Sequence, residues 1–489
     1  MTAHQAWYGE AIASFAALTP TAPALVMPDR TVSFAQANRA IEGIAAALHG
    51  RGLQPGQPVA LVVAMQGIDL MLMHACHRLG APILVLSPGD SPAIARGLVD
   101  AAGARLVLTT GVPVPADVGV PVLRVERDWL TADPAGLPPP PGPEAPCYLG
   151  RSSGTTSGVP KLVATSHASE TGRVATTLTR FPLGPDDRFL AVIAFHYAFG
   201  RAWCQRSLMR GASLAIPGAL VTVDDLADAV REYGATWLAL TPSHVQRLLA
   251  GWRSDGQLLP GVRLFVGSAP LSPSDRRAVL RRITGELYIL YGTNEVGTLS
   301  IAVPEEIRRN PLTAGRPDPA IEIEIVDADG LRCPPRTVGL VRARSDAFPD
   351  GYRRINPGAT SRFIDGWFYP GDFGFLEADG QLVLRGRADD QMSVGGRKIY
   401  PSEIEECLSG HPAVAEVVAL GIPHKELGDE PVAAVVLHTA TSATDLLGHC
   451  RAALGRDGAP RRVVVLDAMP KTDMGKPDRR ALRRMLDAS

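Results

Sequence analysis

The chain has 489 residues, 46% of them hydrophobic and 20% charged, and carries a net charge of −1. That length suits two or more domains with a large core, and the near-neutral balance supplies no global basic field for nucleic acid. Six cysteines, Cys76, Cys147, Cys204, Cys333, Cys407 and Cys450, are scattered without C-x-x-C or metal-ligand spacing, which points to free thiols in a reducing compartment.

The first residues, "MTAHQAWYGEA", carry Glu10 and no basic-then-apolar leader. The most apolar region, residues 59–87, is interrupted by Gln66, Asp69, His74, His77 and Arg78, so no run of membrane-spanning length is expected. A cytoplasmic protein is the expectation. From about residue 31 helix-like and strand-like segments alternate: "FAQANRAIEGIAAALHGRG", "VALVVAM", "IDLMLMHACHRLG", "PILVL", "PAIARGLVDAAG", "RLVLTT". This βα alternation predicts a parallel sheet covered by helices. "DPAGLPPPPGPEAP" excludes helix and central strand and reads as a surface linker. It leads into "GRSSGTTSGVPKLV", 150–163. A second alternating set runs from "RFLAVI" to "LYILYG". After about residue 312, "AIEIEIVDADG", "GLVRARSD" and "GQLVLRGR" predict antiparallel strands joined by turns. The last hundred residues predict a compact mixed unit, with "PSEIEECLSG" a helix capped by Ser402 and Glu405. The expected class is α/β: a large amino-terminal domain of doubly wound sheets plus a β-rich subdomain, residues 1–388, and a small mobile α+β carboxyl-terminal domain, residues 389–489. The joint falls in "GRADDQ", 386–391, and no internal repeats are evident.

Four segments carry candidate chemistry. Successive backbone N–H groups in the 150–163 loop, with its hydroxyls and Lys161, form an anion cradle or else a flexible linker. The loop does not fit the G-x-x-x-x-G-K-[ST] phosphate motif. "YGTNEVG", 291–297, follows a strand, where parallel sheets bind ligands. There Glu295 suits a magnesium ion bridging phosphates and Thr293 a phosphate oxygen; a solvated turn is the alternative. Asp372 in "YPGDFG" and Arg387 in "GRADDQ" suit a ribose diol, or serve turn geometry alone. "PKTDMGKPDRR" places Lys476 after a glycine, in a catalytic position or in a solvated basic tail.

In this order the segments resemble the adenylate-forming (ANL) superfamily, in its acyl-CoA synthetase and AMP-dependent acid–thiol ligase branch. Ser152 to Lys161, S-S-G-T-T-S-G-V-P-K, resemble the family's [ST]-S-G-[ST]-T-G-x-P-K-G; Tyr291 to Glu295 resemble Y-G-x-T-E; Ser268 to Leu271 resemble G-A-P-L. "GYRRINPGATSRFIDGWFYPGD", "GRADDQMSVGGRKIYPSEIE" and "PKTDMGK" match its later motifs, so the likeness runs from about residue 20 to 485. The resemblance implies a carboxylate attacking the α-phosphate of ATP, with pyrophosphate leaving and a thiol then displacing AMP. It implies Lys476 as the catalytic lysine and Glu295 as catalytic residue and magnesium ligand. Ser152, Ser153, Gly154, Thr155, Thr156 and Lys161 would cradle the departing phosphates. Tyr291, Gly292, Thr293, Ser268, Ala269 and Pro270 would complete the nucleotide site, the tyrosine and the Ser268–Pro270 turn walling the adenine. Asp372 and Arg387 would hold the ribose. Asp389 would be a hinge about which the small domain turns, bringing Gly395 and Gly396 to the thiol's arm. The sequence departs from the pattern at Ser157, Leu162, Pro370 and Ser393.

"AFHYAFGRAW" resembles the family's gating segment, one residue longer, with His196 at the catalytic gate and Gly200 behind it. An aromatic core cluster is the alternative reading of this stretch. Between Arg188 and Leu220 there is no aspartate or glutamate to pair with an α-ammonium, which argues against an amino acid. Tyr197, Phe199 and Trp203 point to an apolar acid, fatty or aryl, while Arg201 suits a second carboxylate. Implied cofactors are ATP, Mg²⁺ and coenzyme A, or alternatively the phosphopantetheine of an acyl or peptidyl carrier protein. Arg479, Arg480, Arg483 and Arg484 suit either acceptor. A non-catalytic nucleotide-binding protein is the reading of a different class.

Overall fold

A computed structural model describes residues 7–151, 162–349, 362–394, 397–472 and 476–487, and the backbone of 352–353. Parallel strands Val59–Val62, Ile83–Leu86, Val107–Thr109 and Val122–Arg124 form one side of a first sheet. The "VALV" strand is buried at every position, because helices cover both faces of a parallel sheet. Its helices begin and end where local chemistry dictates. Ser33 and Gln36 form a capping box for Phe34–Gly50, Ser91 caps Pro92–Ala102, and Gly80 and Gly103 end their helices in the left-handed conformation. Pro146–Arg151 lies parallel to Ile83–Leu86, then pairs antiparallel with Leu162–Ser166.

The second alternating set builds a longer sheet. Arg188–Leu190, Trp237–Leu240, Arg263–Val266 and Glu286–Thr293 run parallel in that spatial order, with Ser213–Ala215 on the outer side. The chain then reverses into Gly297–Ala302. From there the antiparallel strands Thr313–Pro317, Leu382–Arg387, Asp372–Leu376 and Gly339–Arg344 continue the same sheet. The β-rich region is thus an extension of the doubly wound sheet, hydrogen-bonded to it edge to edge.

Phe181, Trp203, Trp237 and Phe265 pack between these layers, with ring centroids 3.9–4.6 Å apart from Phe181 to the other three. Trp203 is 1% exposed in this core, so the acid-pocket reading does not hold for it. The core-cluster alternative describes Trp203, while Tyr197 and Phe199 stay half-buried.

A third, small sheet follows residue 391, made of Arg397–Ile399, Met392–Val394, Gly428–Leu437, Val414–His424 and Arg462–Val465. Its strands are buried on both faces. Ala419, Ala433 and Val435 meet helices Pro401–Ser409 and Ala443–Gly458, while Val418, Leu420 and Val432 meet Leu482 and Leu486 of helix Arg479–Asp487. Ser402 does not cap its helix. Tyr400 is the N-cap, and Ser402 instead donates its hydroxyl to the Arg385 carbonyl at 2.7 Å. Glu405 accepts from the Ala419 N–H and from Arg479, binding helix to sheet. Among the described residues no helix is long and apolar enough to cross a membrane.

Candidate active site

The carboxyl ends of the parallel strands gather the candidate residues. Arg151 pairs with Leu162 at the last rung of the Pro146–Ser166 hairpin, so the loop between them leaves from a fixed base. Ser152, Ser153, Gly154, Thr155, Thr156, Ser157 and Lys161 lie outside the described residues. The base is held by charge: Arg151 Nη1 lies 2.8 and 3.0 Å from the two Asp90 oxygens. Asp90 also accepts from the Ser87 N–H at 2.9 Å, closing the turn after Ile83–Leu86.

The turn between Glu286–Thr293 and Gly297–Ala302 holds Glu295, which is 5% exposed. Two glycines are required here. A Cβ on Gly292 would lie 2.3 Å from the Gly297 carbonyl oxygen, and Gly297 itself has φ +79°. The Glu295 carbonyl accepts from the guanidinium of buried Arg173, which also donates to Glu170 at 3.0 Å. Arg173 was not picked out from sequence; it lies in a helix outside every motif, with no local signal. Asn294 Nδ2 donates to the Arg151 carbonyl at 3.1 Å, joining this turn to the base of the loop. Thr293 Oγ1 accepts from the Val296 N–H within the turn.

Asp372 and Arg387 face one another across an antiparallel pair. The Tyr291 hydroxyl donates to Asp372 at 2.6 Å, and Arg387 Nη1 lies 3.4 Å from the other oxygen and 2.9 Å from the Pro370 carbonyl. Burial raises the Asp372 carboxyl above its usual range, against the opposing pull of Arg387, Tyr291 and Arg362. Burial, then Asp372, pushes the Tyr291 phenol well above 10, so it stays a neutral donor. A carboxylate beside a guanidinium at a strand end suits a vicinal diol. Arg387 also lies 3.7 Å from Asp389, whose side chain is 82% exposed in the short turn Ala388–Asp390.

The Ser268–Pro270 turn ends strand Arg263–Val266. Ser268 has φ +70°, a strained value for a residue with a side chain, and its buried hydroxyl has no partner among the described residues. Gly267 packs under the Phe199 ring, where a Cβ would meet it at 2.9 Å. His196 contacts the Tyr197 ring at 4.1 Å and leaves buried Nδ1 without a partner among the described residues. Burial lowers the His196 pKa, Arg201 adds to that, and Asp90 opposes it. Arg201 Nη1 donates to the Phe195 and His196 carbonyls at 2.9 and 3.4 Å, so it braces the gating segment. Gly200 sits where a Cβ would clash at 2.6 Å with the Ile193 carbonyl.

Lys476 belongs to the small sheet's periphery. Its carbonyl accepts from Thr472 N–H at 2.8 Å, its ammonium has no ion pair among the described residues, and burial lowers its pKa. Its neighbour Arg479 is bound to Glu405 at 2.7 Å and lies 3.8 Å from Asp390. Gly395 and Gly396 lie outside the described residues.

Among the described residues no three His, Cys, Asp or Glu side chains cluster to hold a metal. A magnesium ion that shares nucleotide phosphates needs only one or two carboxylates, so Glu295 at a strand end fits that ion. The orphan hydroxyl of Ser268 and the Asp372–Arg387 pair suit polar groups of a nucleoside.

A doubly wound sheet with a buried carboxylate and an Asp–Arg pair at its carboxyl edge suits a nucleotide-using enzyme. The AMP-binding enzyme model matches residues 12–353 and the AMP-binding enzyme C-terminal domain matches residues 403–476. The chain belongs to the AMP-binding enzyme family. It is 30% identical to sulfoacetate–CoA ligase from Cupriavidus necator, over 96% of each chain. It is 28% identical to the fatty acid–[acyl-carrier-protein] ligase ScoC from Streptomyces coeruleorubidus, over 95% of this chain and 93% of that one. It superposes on o-succinylbenzoate CoA synthetase from Bacillus subtilis, solved with its acyl-adenylate intermediate, with a TM-score of 0.87 over 99% of both chains at 24% identity.

Proposed function

We propose that the protein is an ATP-dependent acid–thiol ligase that activates an apolar carboxylic acid, fatty or aryl, as its acyl-adenylate and transfers the acyl group to coenzyme A. The observation that carries the reading is the joined edge: Asn294 ties the Glu295 turn to the phosphate hairpin, and Tyr291 ties the same strand to Asp372 and Arg387. One ligand with phosphates and a ribose satisfies all three strand ends.

In the first half-reaction, the acid's oxygen attacks the α-phosphorus and the bond to pyrophosphate breaks. Asp372 accepts from the ribose hydroxyls, while Tyr291 and Arg387 hold its carboxylate in place. Residues 152–161 donate to the β- and γ-phosphates. Glu295 would hold a magnesium ion, which would supply charge neutralisation at the phosphates. Lys476 donates to the oxygens where negative charge develops; among the described residues no ion pair competes for its ammonium, while burial lowers its pKa. His196 gates the acid, with Arg201 bracing it from behind. In the second half-reaction a thiolate attacks the acyl carbon and AMP leaves.

The joint between residues 1–388 and 389–489 turns at Asp389, carrying Lys476 away and bringing Gly395 and Gly396 to the thiol arm. The exposure of Asp389 in the short turn Ala388–Asp390 supports this motion. The engagement of Arg201 with backbone carbonyls favours an apolar acid over a dicarboxylate. A second reading, transfer to a carrier protein's phosphopantetheine, is supported by the likeness to the carrier-protein ligase and by the exposed Arg483 and Arg484 on the last helix. Six free cysteines support a reducing, cytoplasmic location.

The test is acid-dependent pyrophosphate exchange over a panel of fatty and aryl acids, then AMP release with coenzyme A or a holo carrier protein. ATP binding without any acid-dependent exchange sinks the proposal.

A further inference from the structure

We infer that Asp90, Arg151 and Asn294 form a clasp that fixes the distance between the Glu295 turn and Arg151, the base from which the 150–163 loop leaves, and so act as positioning residues for magnesium-bound ATP. The inference rests on the reading above, in which residues 152–161 hold phosphates and Glu295 holds the metal.

Three segments distant in sequence meet at this point. The first is the turn Ser87–Asp90, the second the base of the hairpin at Arg151, the third the tip at Asn294. Asp90 is 7% exposed as a side chain, and both its oxygens face the Arg151 guanidinium. A carboxylate this buried needs its partners, and here it has a cation and the Ser87 N–H. The guanidinium is thereby fixed, and with it the backbone of the last residue before the loop. The Arg151 carbonyl then accepts from Asn294 Nδ2 at 3.1 Å. Asn294 is exposed, so its amide holds this bond in competition with water. The motif that 291–295 resembles has threonine in this place. Threonine carries its donor one atom closer to the backbone, so the reach of the asparagine amide is a property of this chain.

The next residue is Glu295, whose own carbonyl is held from the opposite side by Arg173. The turn is therefore gripped at two successive residues, one grip leading to the core and the other to the phosphate hairpin. Magnesium is strict about geometry, taking octahedral oxygens at roughly 2.0–2.1 Å, so a carboxylate and phosphates can share it only when their spacing is set.

The experiment measures ATP binding to the full chain by calorimetry, with Mg²⁺ and with EDTA, alongside pyrophosphate exchange. In the wild type Mg²⁺ strengthens ATP binding. Asn294→Ala is expected to shrink that gain about tenfold, as loss of an outer contact to a metal ligand does, with ATP binding in EDTA unchanged. Asp90→Asn is expected to act in the same direction. The double variant should lose no more than the larger single loss, because the residues act as one unit. In exchange assays KM for Mg–ATP should rise while kcat changes little. A magnesium gain that stays at the wild-type value in Asn294→Ala overturns the clasp, and so does full additivity in the double variant. If Asp90→Asn does not fold, the exposed Asn294→Ala decides alone. A wild type that shows no magnesium gain overturns the functional reading as well, which separates the two failures.

Discussion

Along the facing edges of the two sheets of the large domain, the described charged groups are held by neighbours: Asp372 by Tyr291 and Arg387, the Glu295 backbone by Arg173, Arg151 by Asp90. On the small carboxyl-terminal sheet, Lys476 is half-buried with no ion pair among the described residues, while Arg479 three residues on is bound to Glu405. A group that must bind the same ligand in every step is best fixed in advance. A group proposed to serve one step and then leave is better without a partner that would hold it. The contrast between the two regions is therefore one between preorganised binding and a charge kept for the transition state.

The largest effect should come from removing the lysine of the small domain. Lys476→Ala is expected to lower acid-dependent pyrophosphate exchange by about 10²–10³-fold, the scale of losing a donor to developing charge. Thioester formation from supplied acyl-adenylate should survive, and equal loss of both half-reactions would erase the contrast. On the fixed side, Asp372→Asn should raise KM for ATP about tenfold, the scale of a hydrogen bond to a charged group, and weaken AMP binding alike because the ribose is common to both. Glu295→Gln should raise the magnesium needed for half-maximal exchange about tenfold and leave AMP binding alone. Unchanged magnesium dependence would remove Glu295 from the metal.

A pH titration sharpens the comparison further. Burial lowers the Lys476 pKa, so its cation is lost as pH rises at a lower pH than for an ordinary lysine. Adenylation should therefore fall on the alkaline side earlier than an ordinary lysine allows, and Lys476→Arg should remove that limb. Asp372 behaves oppositely. Its raised pKa means the carboxylate is lost as pH falls, at a higher pH than usual, so ATP affinity should weaken on the acidic side. The smallest effect is structural: Gly297→Ala, at φ +79° and with Arg173 Cδ 3.2 Å from the added carbon, should cost about 1 kcal/mol or somewhat more, read as a lower Tm.

Much of the fold was legible in the chain. The alternation of apolar strands with capped helices, the glycine stops and the change to antiparallel texture after residue 312 are local signals, and they reappear as the parallel sheets and their antiparallel extension. Where the reading strayed, a local rule lost to tertiary packing. Ser402 has the spacing of a cap, yet its hydroxyl goes to Arg385 on a strand 17 residues earlier. Trp203 follows a gating motif, yet Phe181 and Phe265 draw it into the core.

The sequence by itself determined the elements, their order, and the family, because glycine turns, caps and motif spacing are carried within short windows. Only the tertiary structure decided which side chains hold one another. Arg173 and Glu295 are 122 residues apart, Arg151 and Asn294 are 143, and Tyr291 and Asp372 are 81. No periodicity records such pairs, since each depends on where separate elements meet in space, and those positions are set by the packing of both sheets and the helices between them.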